Sequence, residues 1–380
     1  MHIIPIASGK GGVGKSILAA NVAVALAQNG KRTVLADLDL GGSNLHLILG
    51  MRNVTYGLGL FLTRSDVDFE QVVLPTEYRN LRFIPGDAEI PGLANLQSSQ
   101  KKKLIRRLSS LDADYVVVDL GAGTSLNTLD FFLTSSTGII VTAPTPTSTV
   151  NAYLFLKNAI FRLMQNACKK KSAGDEYLQS LRKQSDTLSR VYVPQIIEHL
   201  SRVDPESHRK LMASLERFQP RMVLNMLDDP EDAEKAQRLR RSCKQYLNLD
   251  IEHLGVMYRD DLQDIALSSG LPIIRYKPGA VLSQAMYRIA DKLVELDTEA
   301  GGPLSVESIE DSYGEAEMEA SADFDSKLSY VEELLHSGTL TTGDLIETIK
   351  NQQLEIRHLR KENMLFKSKL AKAMQQGYRA

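Results

Sequence analysis

The sequence predicts an α/β fold with a mostly parallel central sheet, and three observations carry this prediction. Short apolar runs recur along the first 297 residues, at 3–7, 32–36, 81–86, 114–119, 138–142, 221–226 and 251–258. Helical patterns, such as residues 17–27 and 232–246, separate most of these runs. A glycine-rich turn joins the first run to the first helical pattern. Strands that alternate with helices form parallel sheets with helices on both faces, so the chain predicts a three-layer α/β/α domain.

Composition is typical of a soluble chain with one large domain and appendages. Of the 380 residues, 43% are hydrophobic and 24% are charged, and the net charge of −2 gives no overall attraction to nucleic acid or anionic lipid. Cys168 and Cys243 form no C-x-x-C pair, which argues against a metal or disulfide framework. No apolar run reaches the roughly 18 residues of a membrane span, and the first residues lack a signal-peptide layout. These features predict a cytoplasmic location.

The glycine-rich turn has the pattern of a phosphate-binding loop. Residues 9–16 satisfy G-x(4)-G-K-[ST] between a strand and a helix, which is the context that this pattern requires. Backbone N–H groups of such loops surround phosphates, and the helix N-terminus adds partial positive charge. Lys15 is expected to reach the β- and γ-phosphates, and Ser16 to bind Mg²⁺. The predicted nucleotide-binding residues here are Gly9, Lys10, Gly11, Gly12, Val13, Gly14, Lys15, Ser16 and Ile17.

A second lysine, Lys10, lies inside this loop, where an ordinary phosphate loop has no charge requirement. Together with residues 11–16 it resembles the deviant Walker A motif of the MinD/ParA family of ATPases. The resemblance implies that Lys10 crosses a dimer interface to reach the nucleotide of the other subunit. It therefore implies a homodimer in the ATP state, with Lys10 and Lys15 both catalytic.

Three aspartates are predicted at strand ends beside the loop. Asp37 and Asp39 follow the second strand, and Asp119 ends the fourth. Ligands of open parallel sheets bind at this edge, and carboxylates held there suit Mg²⁺. The predicted metal ligands are Ser16, Asp37 and Asp119. The D-x-D-x(4)-N-L stretch is similar to the first switch of the family, which implies that Asp39 is catalytic and orients the attacking water.

Two further residues complete the predicted nucleotide site. Gly123 follows Asp119 in a stretch that resembles the second switch of the family, where a glycine N–H senses the γ-phosphate. Asn225 occupies the position where the family reads the adenine edge, and an asparagine amide offers the donor and the acceptor that this edge needs. The guanine-reading pattern N-K-x-D is absent, because Met226 follows Asn225. The predicted cofactors are ATP and Mg²⁺.

The resemblance also implies a role. Residues 144–157 read P-x-P-T-S-x(3)-A-Y-x(3)-K and are similar to FlhG (also called FleN), the flagellar-number branch of the MinD group. This implies an ATPase that acts as a spatial switch and positions flagella, or organises the cell pole or the division site. A protein partner, either cargo or an ATPase activator, is expected. Prolines and capping residues also suit an ordinary strand-to-helix junction, so this stretch narrows the branch without establishing flagella.

The sequence predicts four segments. The ATPase domain covers residues 1–297 and contains a helical insertion at 166–219, where the chain departs from the short MinD pattern. An acidic disordered linker is predicted at 298–326, because no lysine or arginine occurs between Lys292 and Lys327. A helical tail at 327–376 is predicted to form a coiled coil. Its heptad positions are Leu345, Ile349, Gln352, Ile356, Leu359, Asn363, Phe366 and Leu370.

Several alternatives stay open. The basic tail helix could bind the inner face of a membrane peripherally instead of pairing, since cations near an anionic surface are attracted to it. A ParA-type DNA-partitioning ATPase would need a basic surface, and residues 100–111 carry five positive charges, although such a run is more typical of a solvated face. DNA is therefore not the favoured partner. A scaffold that binds ATP with little turnover is the remaining alternative.

Overall fold

A mostly parallel sheet, with helices on both faces, forms the centre of the computed structural model. The structure describes residues 1–52, 54, 56–86, 96–183, 192–298, 305–337, 341, 343, 346, 347, 349, 350, 353, 354, 356–359, 361–364 and 366. In this part of the chain the sheet has eight strands, in the order β3-β4-β2-β5-β1-β6-β7-β8. They are β1 (His2–Ala7), β2 (Thr33–Leu38), β3 (Leu74–Pro75), β4 (Leu81–Ile84), β5 (Tyr115–Leu120), β6 (Ile139–Thr142), β7 (Arg221–Leu227) and β8 (Glu252–Tyr258). Only the short edge pairing of β3 with β4 is antiparallel among them, so the predicted fold class is confirmed.

The helices connect these strands and extend beyond the last one. Their bounds are α1 (Lys15–Gln28), α2 (Leu45–Ile48), α3 (Leu58–Thr63), α4 (Ser98–Leu108), α5 (Leu126–Phe132), α6 (Pro146–Ala167), α7 (Ala173–Lys183), α8 (Val193–Val203), α9 (Pro205–Arg217), α10 (Glu234–Leu247), α11 (Leu262–Ser268), α12 (Ile273–Tyr276), α13 (Val281–Thr298) and α14 (Val306–His336). Short 3₁₀ helices cover Phe69–Val72 and Pro230–Ala233. Helices α7, α8 and α9 lie in the range for which the sequence predicts a helical insertion.

Helix α1 is buried almost throughout, which places the phosphate loop at the centre of the sheet. Every residue of α1 from Leu18 to Ala27 is buried, and the many alanines allow close packing against the sheet and against α13. Strand β1, which leads into the loop, pairs with β5 on one side and β6 on the other. The loop therefore opens at the carboxyl edge of the sheet, between the ends of these three strands.

The predicted disordered linker at 298–326 is wrong, because most of this range belongs to helix α14. Ile309, Tyr313, Ala316 and Ala320 are at most 2% exposed and form one apolar stripe along the helix. The Tyr313 hydroxyl donates to the Ile251 carbonyl over 3.1 Å. Residues at this spacing bury one face of a helix, so α14 is a packed element of the domain.

Basic groups of neighbouring helices neutralise part of the acidic charge of α14. Lys292 of α13 lies 2.8 Å from Glu319, and Arg288 lies 2.5 Å from Asp323. The Tyr258 hydroxyl donates to the Ala320 carbonyl over 2.8 Å, which ties α14 to the sheet's edge strand, β8. A run of like charges does not by itself indicate disorder, because opposite charges elsewhere in the fold can pair with it.

The chain divides into two units, residues 1–323 and 324–380. Within the second unit, the heptad residues Ile349, Ile356, Leu359, Asn363 and Phe366 are helical and exposed. Leu345, Gln352 and Leu370 lie outside the described residues, and the coiled coil stays a prediction. None of the described helices is both long enough and apolar enough to cross a lipid bilayer.

Candidate nucleotide-binding site

The loop at residues 9–16 owes its path to two of its glycines. Gly14 has a φ of +84°, in the left-handed region that favours glycine, and it caps the N-terminus of α1. A Cβ atom at Gly9 would lie 2.1 Å from the carbonyl oxygen of Asn151. The loop is therefore packed directly against the first turns of α6.

The Lys15 ammonium group is buried and paired with Asp119 at the end of β5. Lys15 Nζ lies 2.5 Å from Asp119 Oδ1, and the two side chains are 7% and 2% exposed. Lys15 also donates to the Ser16 hydroxyl over 3.3 Å. Burial raises the pKa of Asp119, and the charge of Lys15 opposes this shift. Lys15, which the sequence assigns to the phosphates, and Asp119, which it assigns to the metal, thus neutralise each other in this structure.

Asp37 lies beside Asp119, as its predicted role requires. The two residues are directly opposite in the register of β2 and β5. Asp37 is fully buried and accepts hydrogen bonds from the Ser43 hydroxyl at 2.7 Å and the Leu45 N–H at 3.3 Å. Burial and then the charge of Asp119 raise the pKa of Asp37 to about 7. No role was predicted for Ser43. Its hydroxyl lies six residues after Asp37 in the same loop, and this short distance along the chain could have indicated the contact.

Asp39, in the first predicted switch segment, contacts the second. A Cβ atom at Gly121 would be 3.2 Å from Asp39 Oδ1, so the side chain contacts the turn that follows β5. In that turn the Gly123 N–H donates to the Ser8 carbonyl over 2.9 Å. The amide that the family resemblance assigns to the γ-phosphate is therefore bonded to the residue that precedes the phosphate loop. The Gly123 contact with phosphate is not preformed.

Lys10 lies apart from the buried pair. Its side chain is exposed, and its Nζ donates to the Thr147 hydroxyl at the start of α6 over 3.4 Å. The Ser8 hydroxyl donates to the Lys10 carbonyl over 2.9 Å, which holds the loop backbone at this point. The loop thus directs one lysine inward, to Asp119, and the other outward, to the protein surface.

Asn225 contacts the phosphate loop from the end of β7. Its Nδ2 donates to the Val13 carbonyl over 2.9 Å, and its Oδ1 accepts the Met226 N–H over 2.8 Å. The predicted role was a contact with the adenine edge. In this structure the asparagine amide is bonded to backbone on both sides.

A cavity of about 360 Å³ opens between the loop and the ends of β6 and β7. Its walls are residues 10–13 of the loop, residues 143–145 and 148 at the turn into α6 and its first residues, and five residues of β7 and of the segments that follow β7 and β8. These five are Met226, Asp228, Asp232, Lys235 and Arg259. The sequence indicated none of them as lining a site, because they belong to no recognisable motif.

The donor set at the strand ends fits Mg²⁺. Ser16, Asp37 and Asp119 supply hydroxyl and carboxylate oxygens, the donors that this ion prefers. Two neighbouring buried carboxylates with raised pKa values would be stabilised in their charged form by a divalent cation. Within the described part of the chain, no cluster of three or more His, Cys, Asp or Glu side chains forms a metal cage. Mg²⁺ beside a nucleotide needs only one or two carboxylates in addition to phosphate oxygens.

The N-terminal part of the chain is similar in sequence to known proteins. Residues 1–159 match a family model described as "ParA: NUBPL iron-transfer P-loop NTPase". The flagellum site-determining protein YlxH of Helicobacter pylori is 36% identical over 160 residues, which are 40% of this chain and 52% of YlxH. The antiactivator FleN of Pseudomonas aeruginosa is 28% identical over 195 residues, which are 49% of this chain and 69% of FleN. The chain spans about half the length of most of the curated relatives it matches.

Solved structures share the fold over a longer part of the chain. The septum site-determining protein MinD from Pyrococcus horikoshii, complexed with Mg-ADP, superposes with a TM-score of 0.55 and is 22% identical. The match covers 79% of this chain and 98% of that protein. At this identity the likeness establishes the fold alone, and the chemistry of the site is argued from its own residues.

Proposed function

Because the chain belongs to the MinD/ParA family of P-loop NTPases, we propose that it is an ATPase that dimerises with ATP and positions cellular machinery. The observation that carries the proposal is the opposed placement of two loop lysines. Lys15 is buried against Asp119, and Lys10 is exposed at the loop surface. A lysine that serves its own nucleotide must point inward, and one that serves a second subunit must point outward.

The proposed ligands are ATP and Mg²⁺. Lys15 exchanges its bond with Asp119 for one with phosphate oxygens, and this exchange frees the Asp119 carboxylate for the metal. Ser16 and Asp37 complete the metal's protein ligands. Mg²⁺, when bound, supplies positive charge that offsets the charge of the phosphates.

Hydrolysis is proposed to depend on positioning and charge. Asp39, at the turn that follows β5, orients the attacking water. Lys15 and the partner subunit's Lys10 stabilise the negative charge that develops on the transferred group. Gly123 gives up its bond to the Ser8 carbonyl when it contacts the γ-phosphate. This change would couple the nucleotide state to the shape of the second switch.

Phosphate release by an Asp39→Ala variant tests turnover. We expect at least a 100-fold lower rate with ATP binding retained, because a side chain that acts on the nucleophile as an acid or base typically contributes about 10²–10⁴-fold. Asp66→Ala, at an exposed site outside the cavity, is the matched control and should keep the normal rate. Wild-type turnover in Asp39→Ala would refute the catalytic assignment. No turnover in the wild type would favour the scaffold alternative.

Light scattering with and without ATP tests the role of Lys10. The measurement uses chains ended after residue 337 that also carry Asp39→Ala, so that neither the predicted coiled coil nor hydrolysis obscures the result. We expect the parent to double its mass with ATP, and Lys10→Ala to stay monomeric while it binds ATP as tightly. Lys15→Ala should lose binding itself. An ATP-dependent dimer that survives Lys10→Ala would contradict the proposal.

The proposed biological role is the number or placement of flagella, or of another polar or division-site structure, through a protein partner. The relatives named flagellum site-determining protein and antiactivator support this role. Iron transfer, which the matched family description mentions, lacks support from the two cysteines, Cys168 and Cys243, since burial raises the pKa of both thiols. A deletion strain observed for flagellar number and position would test the role directly.

DNA is the less favoured partner because the basic helix α4 directs part of its charge inward. Lys101 pairs with Asp130, which also bonds Arg162 of α6. The Lys103 ammonium lies 3.9 Å from the centre of the Phe61 ring and donates to the Phe61 carbonyl. A gel-shift experiment with non-specific DNA and ATP tests whether the protein binds DNA. Saturable binding that weakens as salt is added would support DNA as a partner.

A further inference from the structure

Asn225 joins two backbone segments that are far apart in the sequence. The residue is 7% exposed, and its amide spans from the Met226 N–H on its own strand to the Val13 carbonyl in the phosphate loop. Gly14, the next residue of the loop, packs against the same amide. A Cβ atom at Gly14 would lie 2.1 Å from Asn225 Nδ2.

The end of β7 is shaped for this contact. Met226 has a φ of +64°, which is uncommon for a residue other than glycine, and the pairing of β7 with β8 shifts register between Asn225 and Leu227. The Met226 N–H consequently points at Asn225 Oδ1 instead of continuing a regular ladder. This bond orients the Asn225 amide so that its Nδ2 faces the loop.

The Val13 carbonyl needs such a partner. A phosphate loop works only when its N–H groups face the ligand, and its carbonyl groups must then bond elsewhere. The peptide between Val13 and Gly14 can flip easily, because Gly14 tolerates both signs of φ. A flipped peptide would turn the Val13 carbonyl oxygen toward the phosphates and repel them. The bond from Asn225 holds this carbonyl away from the phosphate side.

We infer that Asn225 is a positioning residue that locks the Val13–Gly14 peptide of the phosphate loop, so that it governs affinity for the phosphates and not the choice of base. The backbone engages one of the two N–H donors and one of the two oxygen lone pairs of the Asn225 amide, and these two bonds fix the amide in its orientation toward the loop. The inference rests on the proposed nucleotide function. It assigns Asn225 a task different from the one that the sequence resemblance implies.

The test compares ligands with and without a base. Calorimetry measures the affinity of the full chain for Mg²⁺-tripolyphosphate, Mg²⁺-ADP and Mg²⁺-GDP, before and after Asn225→Ala. We expect all three affinities to fall by a common factor of about ten, equivalent to about 1.4 kcal/mol. The ratio of ADP to GDP affinity should stay unchanged.

Asn21→Ala is the matched control. Asn21 is a fully buried asparagine in α1 that likewise bonds two backbone groups, donating to the Ile17 carbonyl at 2.8 Å and accepting the Ile274 N–H at 3.2 Å. Its loss should lower the unfolding temperature while leaving tripolyphosphate affinity at the wild-type value. If Asn21→Ala weakens tripolyphosphate binding as much as Asn225→Ala does, the effect is general destabilisation, and the inference is wrong.

The remaining outcomes separate this inference from the proposed function. If Asn225→Ala weakens ADP binding, alters its ratio to GDP and leaves tripolyphosphate binding intact, Asn225 reads the base and the inference is overturned. If the wild type binds none of the three ligands, the proposed function itself fails.

Discussion

His253 illustrates how a single residue can set the acid stability of this fold. It is 2% exposed on β8, and its ring meets the Tyr313 ring edge to face with 5.2 Å between centroids. Neither ring nitrogen has a hydrogen-bond partner among the described residues. Burial, followed by the charge of Lys292, lowers the pKa of His253 to about 3.

The expected consequence is a loss of stability in mild acid. Below about pH 6.5 this histidine is protonated in the unfolded chain but stays neutral in the folded protein. The free energy of unfolding therefore falls as pH decreases toward 3. We expect His253→Phe to unfold in urea with about 3 kcal/mol less loss between about pH 7.5 and about pH 4.5. At the higher pH it should also gain about 1–2 kcal/mol, because an unsatisfied buried polar group is removed.

The exposed His199→Phe is the control for the added ring. Equal pH dependence in the wild type and His253→Phe would show that another group sets the acid profile.

For single residues, the sequence predicted the positions of polar side chains more accurately than the contacts that these side chains make. Asp37 and Asp119 could be assigned to neighbouring strand ends because a strand's end fixes a side chain's position on the sheet. The bond between Lys15 and Asp119 was not predictable, since the motif describes the ligand-bound task of each residue. The bond from Asn225 to Val13 joins residues 212 positions apart and depends on the unusual backbone at Met226.

At the scale of secondary-structure elements, helix α14 changes the boundary of the domain. Local composition indicated disorder, because residues 298–326 contain many acidic residues and no basic residue. The counter-charges Arg240, Arg288 and Lys292 come from α10 and α13. The four-and-three spacing of Ile309, Tyr313 and Ala316 was the available signal, and charge density concealed it.

Removal of α14 should destabilise the domain. A chain ended after residue 305 lacks the apolar stripe and exposes the surface that the stripe covers, together with the edge of β8, so we expect a loss of stability on the order of 3 kcal/mol or more, together with aggregation. A chain ended after residue 337 keeps the helix and should unfold like the full chain. Tyr313→Phe, which removes only the bond to the Ile251 carbonyl, should cost about 1 kcal/mol. Denaturant unfolding measures all three, and an unchanged midpoint in the shorter chain would mean that α14 is dispensable.

At the scale of the whole molecule, the tail predicts a second dimer contact that does not depend on nucleotide. The described heptad residues Ile349, Ile356, Leu359 and Phe366 are 40–64% exposed, so these apolar groups are accessible for pairing. Lys10 would then control the arrangement of two tethered subunits, and not whether they meet. The protein would then have one permanent dimer contact, in the tail, and one that depends on ATP, at Lys10.

Size-exclusion chromatography with light scattering tests the tether. We expect the full chain without nucleotide to have the mass of a dimer, and removal of residues 340–380 to yield a monomer, because a coiled coil of about four heptads is long enough to pair. Leu359→Glu places a charge in the seam and should dissociate the full chain. A monomeric full chain without nucleotide would refute the tether, and sedimentation of the tail with anionic liposomes would then favour a membrane contact.

The packing of Gly9 against α6 bears on how relatives of this protein should be classified. Any side chain at position 9 would overlap the Asn151 carbonyl, whether or not a nucleotide ever binds. A descendant that lost its activity but kept α6 would therefore still carry glycine at this position. Glycine at position 9 marks shared ancestry of the fold, whereas the two lysines mark retention of the switch. Surveys that seek pseudoenzymes among such sequences should score Lys10 and Lys15 and disregard the first glycine.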